Sequence, residues 1–158
     1  MDGIVTGRII EVEAYDETDP GSHSYGRRTP RNRVMFGPAG HLYVYVSYGI
    51  HRCANVVTGM EGVGAAVLIR ALEPISGVDL MRARRGTVAE RDLLNGPGKV
   101  CQALAIGLDH YGSDVTDVSG PVTVLDDGTA PPEQPLIGRR IGLSKGVETP
   151  WRFRVPPP

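Results

Sequence analysis

Cysteine is scarce in this 158-residue chain: Cys53 and Cys101 stand far apart and belong to no C-x-x-C pair. A zinc site built mainly from thiolates is thereby excluded, and no disulfide framework is expected. Both thiols read as small buried hydrophobes in a reducing compartment. The four histidines, His23, His41, His51 and His110, form no H-x-x-x-H pair, so nothing local suggests a metal and none is expected. No stretch approaches the roughly 18 apolar residues of a membrane span. The start, Met1-Asp2-Gly3-Ile4, lacks the basic segment and apolar run of a signal peptide. The expected location is therefore the cytoplasm, with no membrane partner. Lysine is nearly missing, with Lys99 and Lys145 against fifteen arginines. The formal net charge of -1 also lacks the basic excess usual in nucleic-acid binders.

What is present suits one domain, 1–158. Apolar residues make up 41%, enough for one core. Gly and Pro together are about a fifth of the chain, which points to many turns and short strands. The charge is unevenly placed. Between Asp19 and Glu61 there is no acidic residue, yet that window holds Arg27, Arg28, Arg31, Arg33 and Arg52. It also holds Tyr25, Tyr43, Tyr45 and Tyr48. Arginine offers a planar fork suited to phosphate. A basic segment interleaved with aromatics is what phosphate contact plus base stacking requires. An Arg-rich solvated surface would give the same composition.

Along the chain, residues 4 to 15 read as a strand in which Ile10, Val12 and Ala14 alternate with Glu11, Glu13 and Tyr15. Residues 16 to 40 read as a long loop, a feature that is usually functional. Residues 41 to 48 form a strong strand pattern, with Tyr43, Tyr45 and Ser47 on one face. Cys53 to Val57 then returns, making a hairpin with Tyr48 near its tip. A further strand is expected over Ala65 to Leu72. A helix is expected after Ser76, with Asp79 completing a capping box and Arg84, Arg85 and Gly86 near its end. A second is expected over Val100 to Ile106, stopped by Gly107. Strands near 121–126, 137–143 and 151–155 close the chain. Strands outnumber helices without βα alternation, which favours an α+β fold with a largely antiparallel sheet and flanking helices.

At Arg8-Ile9-Ile10-Glu11-Val12-Glu13-Ala14-Tyr15 the chain resembles the alkyladenine (3-methyladenine, methylpurine) DNA glycosylases. The resemblance continues through His23-Ser24, Arg28-Thr29-Pro30-Arg31-Asn32, Met35-Phe36-Gly37-Pro38 and Gly40-His41-Leu42-Tyr43-Val44-Tyr45. It runs on through Tyr48-Gly49-Ile50-His51, Asn55-Val56-Val57, Leu68-Ile69-Arg70-Ala71-Leu72-Glu73-Pro74, Gly96-Pro97-Gly98-Lys99 and Pro150-Trp151-Arg152-Phe153. The blocks stand in family order and cover most of residues 8 to 154. The resemblance implies a monofunctional base-excision-repair enzyme. Such an enzyme cuts the N-glycosidic bond of alkylated or deaminated purines (3-methyladenine, 7-methylguanine, hypoxanthine type) in double-stranded DNA. It implies no metal, no cofactor and no lyase lysine. The implied fold is similar to the C-terminal domain of formyltransferases, with a protruding β-hairpin that contacts DNA. A bacterial, nucleoid-associated monomer is the corresponding expectation.

The chemistry asks for these residue types. A purine inside a duplex must be extruded before attack, at a cost of a few kcal/mol. Tyr48 matches the family's intercalating residue, a flat ring able to stand in for the lost base. Tyr15 and Tyr45 match its pocket aromatics and His23 its pocket histidine; aromatic faces attract cationic methylated purines. Glu13 matches the catalytic carboxylate, able to activate water and stabilise oxocarbenium charge. The face pattern alone does not separate it from Glu11. Arg70 matches an arginine that helps position that water. Asn55 matches an asparagine that crowds the 2-amino group of guanine. Arg28, Arg31, Arg52 and Lys99 are candidates for phosphate, Lys99 because it stands at a helix start.

Two departures from the family pattern stand out. Its members usually carry a helix and a strand before the position of Asp2, and these are expected to be lacking here. The Tyr15–His23 loop is one residue short, and Ser24-Tyr25-Gly26-Arg27-Arg28 is reordered, which bears on His23 more than on Glu13. Two other functions compete with the glycosylase. One is a catalytically impaired module that binds damaged DNA on the same scaffold. The other, by fold analogy alone, is an RNA-binding or formyltransferase-related domain.

Overall fold

The computed structural model describes residues 3–86 and 89–157. Met1, Asp2, Thr87, Val88 and Pro158 lie outside the described residues. Six strands form one sheet: β1 (Thr6–Tyr15), β2 (Leu42–Ser47), β3 (His51–Val57), β4 (Ala66–Ser76), β5 (Leu136–Gly138) and β6 (Arg152–Arg154). Their order is β2-β3-β4-β1-β6-β5. Every pairing is antiparallel. Two helices, α1 (Val78–Arg85) and α2 (Pro97–Leu104), complete an α+β domain.

Alternation along each strand sends neighbouring side chains to opposite faces. Leu42 and Val44 of β2 and Ala54 of β3 turn towards α2, where they pack with Cys101 and Ile106. Leu72, Met81, Leu93, Leu94, Val100 and Ala103 form a second cluster around the two helices. The other face carries Tyr43 and Ala66, covered by Met35 and Phe36 of a 3-10 turn at Arg33–Phe36. Each fully buried aliphatic side chain contributes about 1.5–3 kcal/mol. The register lines up one row across that face: Tyr43, Asn55, Leu68, Glu13 and Arg152 are successive partners on five strands.

Several local expectations are corrected. Residues 121–126 form no strand: Leu125 is exposed and no neighbouring strand pairs with the segment. The strand expected over 137–143 is confined to Leu136–Gly138, after which the chain leaves the sheet and crosses the Tyr15 face. Helix α2 begins at Pro97, a favoured first-turn residue. It ends at Ala105, which adopts φ 56, before Gly107 is reached. Ser76 does not cap α1. It ends β4 and pairs its hydroxyl with that of Thr6 at 2.7 Å, while Gly77 makes the turn at φ 73. A Cβ on Gly77 would lie 2.7 Å from the Ile4 carbonyl, so a side chain there is doubly disfavoured.

Candidate active site

Strand β1 brings Glu13 to the centre of the sheet and Tyr15 to its end. The Tyr15 face opens into a cavity of about 410 Å³. Its walls include Tyr15, His23, Tyr43, Tyr45, Cys53, Asn55, Leu68 and Arg70, closed on one side by Ile141, Gly142 and Leu143. Six of the residues singled out by sequence therefore meet: Tyr15, His23, Tyr45, Tyr48, Asn55 and Arg70 line one space.

Glu13 lies just behind that wall with none of its surface exposed. Burial on this scale is the reverse of the solvent-facing carboxylate that bare alternation would allow. An enclosed carboxylate needs polar partners, and Glu13 has two hydrogen-bond donors and an ion-pair partner. Tyr15 Oη donates to Oε2 at 2.7 Å, the Ile141 N–H donates to Oε1 at 2.8 Å, and Arg70 Nη1 lies 3.3 Å from Oε1. Arg70 also donates from Nε to Glu11 at 3.1 Å, and Arg152 Nε reaches the same Glu11 oxygen at 2.6 Å. Cations and carboxylates thus alternate from Arg152 through Glu11 and Arg70 to Glu13. The array separates the two glutamates: Glu11 sits between two arginines, whereas Glu13 touches residues that wall the cavity. Burial raises the Tyr15 phenol, and the Glu13 charge and hydrogen bond raise it further. Tyr15 therefore remains a donor at neutral pH.

The opposite wall is aromatic. Tyr43 and Tyr45 stack at 5.6 Å and 23°. His23 meets Tyr45 edge-on at 4.5 Å and pairs Nδ1 with Tyr43 Oη at 3.0 Å. Although His23 remains exposed, packing of its ring and the nearby Arg31 charge lower its pKa, so the imidazole is neutral at pH 7. Burial pushes Tyr43 up to about 12, against a lowering by Arg31. Asn55 is buried, its amide donating to the Tyr43 carbonyl at 3.3 Å. Sequence reading missed Tyr43 and Cys53; the first shares the Tyr45 face by simple alternation. It also missed Ile141, far along the chain from Glu13 and without a local signature.

Tyr48 stands at the hairpin tip, 82% exposed. Tyr48 and Gly49 both have positive φ, 50 and 74, and the Ile50 N–H donates to the Ser47 carbonyl at 3.2 Å. Hairpin turns of this hand favour glycine or asparagine. A tyrosine held there costs about 1 kcal/mol or more, the kind of strain found at functional positions. Ile50 is exposed beside it. Arg28, Arg31 and Arg52 are also exposed, and enter no ion pair among the described residues. Arg31 lies at the His23–Tyr43 wall, and Arg52, opposite Val46 near the tip of the hairpin, lies beside α2. Lys99 sits within the first turn of α2 and donates to Asn95 at 2.6 Å. No helix among the described residues is long and apolar enough to cross a membrane.

The site class is thus an aromatic-walled cavity backed by a buried carboxylate–arginine array, beside an exposed tyrosine on a hairpin. The chain belongs to the methylpurine-DNA glycosylase family, whose model matches residues 1–157. It is 54% identical over 150 residues to a protein of Methanoculleus marisnigri, covering 93% of this chain and 77% of that one. A Burkholderia lata protein is 49% identical over 152 residues, covering 95% and 73%. One from Carboxydothermus hydrogenoformans is 47% identical over 151 residues, covering 95% and 78%. All three are provisionally named 3-methyladenine DNA glycosylase.

Proposed function

We propose that the chain is a monofunctional DNA glycosylase. It takes alkylated or deaminated purines of the 3-methyladenine, 7-methylguanine and hypoxanthine type out of duplex DNA and hydrolyses their N-glycosidic bond. The observation that carries this reading is the fully buried Glu13 behind an aromatic cavity, hydrogen-bonded to Tyr15 and beside Arg70. Extrusion of the base costs a few kcal/mol. Tyr48, presented at the hairpin tip, enters the stack where the base has left. The extruded purine stacks on Tyr15 and Tyr45, and cationic lesions gain from the ring faces. Asn55, fixed by the Tyr43 carbonyl, excludes the 2-amino group of guanine.

The chemical step uses the array. Glu13 accepts a proton from water behind the sugar C1′, and its charge opposes the oxocarbenium charge that develops as the bond to the base breaks. Arg70 orients that water and balances the carboxylate. In the free protein the Tyr15 hydroxyl occupies Oε2, so entry of the base displaces that contact before water reaches Glu13. Arg28, Arg31, Arg52 and Lys99 hold phosphates around the cavity, and the protein acts as a monomer.

The capped carboxylate also favours a second reading, a module that binds damaged DNA without releasing the base. A lesion panel separates the two: 3-methyladenine, 7-methylguanine, hypoxanthine and ethenoadenine, each in the same duplex, with abasic product measured. The glycosylase gives abasic sites from at least one methylated or deaminated purine. Tight binding of an abasic-site analogue with no product from any lesion supports the binding module.

A further inference from the structure

Arg140 takes no part in the chemistry above and contributes no surface to the cavity, yet its side chain is fully buried. Its guanidinium joins three separate parts of the chain. Nη1 donates to the Ala14 carbonyl at 3.0 Å and to the Asp19 carboxylate. Nη2 donates to the Gly146 carbonyl at 2.9 Å. The same group lies over the Tyr15 ring, 4.6 Å from its centroid, and 5.5 Å from the Trp151 ring. Ala14 is the residue between Glu13 and Tyr15, and the N–H of the next residue, Ile141, donates to Glu13. Burial works against the Asp19 charge, but Arg140 and the Gly21 N–H outweigh it and hold that carboxyl below its ordinary range.

A buried ion pair is a weak device for stability, since apolar residues of similar volume often serve as well or better. What this pair supplies is geometry. We propose that Arg140, braced by Asp19, is a positioning residue. It fixes the Tyr15 ring from the side away from the cavity and, through Ile141, fixes the carboxylate of Glu13. The inference rests on the reading of Glu13 and Tyr15 as site residues. It has a consequence for substrate charge. A cation on one face of an aromatic ring weakens the pull of the other face on a second cation. Arg140 therefore tilts the cavity towards neutral purines, relative to what Tyr15 would select alone.

Two variants separate geometry from charge. Arg140→Lys keeps a cation beside Asp19 but loses the planar fork. The double variant Arg140→Met with Asp19→Asn removes both charges, so that neither is left buried and unpaired. Each is compared with the parent by single-turnover base release from duplexes carrying hypoxanthine or 7-methylguanine. Rates are taken per active site, titrated with a duplex holding an abasic-site analogue. Both variants are expected to bind that duplex about as tightly as the parent. Hypoxanthine release per site is expected to fall about tenfold or more, because small misplacements are costly to catalysis. The 7-methylguanine to hypoxanthine ratio is expected to rise about threefold in the double variant and to stay level in Arg140→Lys. A merely structural pair would change melting temperature and active fraction, but neither the rate per site nor the ratio; that result overturns the proposal.

A parent that binds but releases no base would fail the preceding reading instead. The brace is then decided in the free protein by NMR of 13C-labelled tyrosine. The Tyr15 ring is expected to flip more slowly in the parent than in the double variant, and equal flipping overturns the proposal.

Discussion

The two faces of the sheet are built on opposite principles. Towards the helices, Leu42, Val44, Ala54 and Cys101 bury aliphatic surface and thiol in one apolar cluster. On the other face the sheet buries Glu13, Asn55 and Tyr43, each tied to a polar partner, and half-buries Arg70, paired with Glu13, and the ring of Tyr45. An apolar filling would be easier to stabilise there. A chain that keeps a fully enclosed glutamate at the centre of its sheet is departing from the rules that its helix face follows, and such departures mark function. The contrast predicts that substitutions on the two faces fail differently.

The largest effect is expected at Glu13. Glu13→Gln keeps an acceptor for the Ile141 N–H but loses the base, so release of hypoxanthine should fall by about 10²–10⁴ in single turnover. Glu11→Gln, between its two arginines, should lose far less. Comparable losses in both would erase the distinction drawn between the two carboxylates.

Stability should respond most to Asp19. Asp19→Ala leaves Arg140 charged and buried, at a cost of about 3–5 kcal/mol in denaturant unfolding. The pH dependence has a definite sign. The Asp19 carboxyl titrates lower folded than unfolded, so its contribution is complete above the ordinary carboxylate range near pH 4 and is lost as pH falls through the folded value. A stability curve of the parent that is flat from about pH 5 down to pH 2 would contradict this. On the helix face, Met81→Ala should cost about 2–5 kcal/mol, with base release per folded molecule unchanged below the melting transition.

Tyr48 should show opposite signs in the two assays. Tyr48→Gly relieves a left-handed tyrosine and should raise stability by about 1 kcal/mol. The same change removes a stacking ring and should weaken binding to lesion duplex by about 1–3 kcal/mol. Stability that falls together with affinity would make Tyr48 an ordinary turn residue. The smallest effect is expected from the exposed cations. Each of Arg28→Gln, Arg31→Gln and Arg52→Gln should lower the salt slope of duplex binding by about one. A parental slope implying about ten or more phosphate contacts would contradict a basic face confined to one side of a chain with net charge -1.

Much of this was legible in order of locality. Alternation in His41-Leu42-Tyr43-Val44-Tyr45 is enough to place the hairpin and its aromatic face. Glu13 and Tyr15, two apart on one strand, are bound to share a face, and Tyr48-Gly49 marks the turn. The burial of Glu13 was not legible, because the groups that enclose it, Arg70 and Ile141, come from distant parts of the chain. Arg140 and Asp19 likewise carry no local signature, since either could be a surface charge until the fold joins them. Residues 121–126 have strand-forming side chains but no partner strand, and pairing is a tertiary event. Ala105 ends α2 in a conformation that its residue type does not announce.

The central claim is that the Glu13 face releases a base and does not only hold damaged DNA. It is tested most directly by saturating a hypoxanthine-containing duplex with the protein and following alkali-labile strand over time. The account predicts full conversion in a single exponential, with no strand cleavage before alkali. Complete binding without alkali-labile product, however long the incubation, would contradict it.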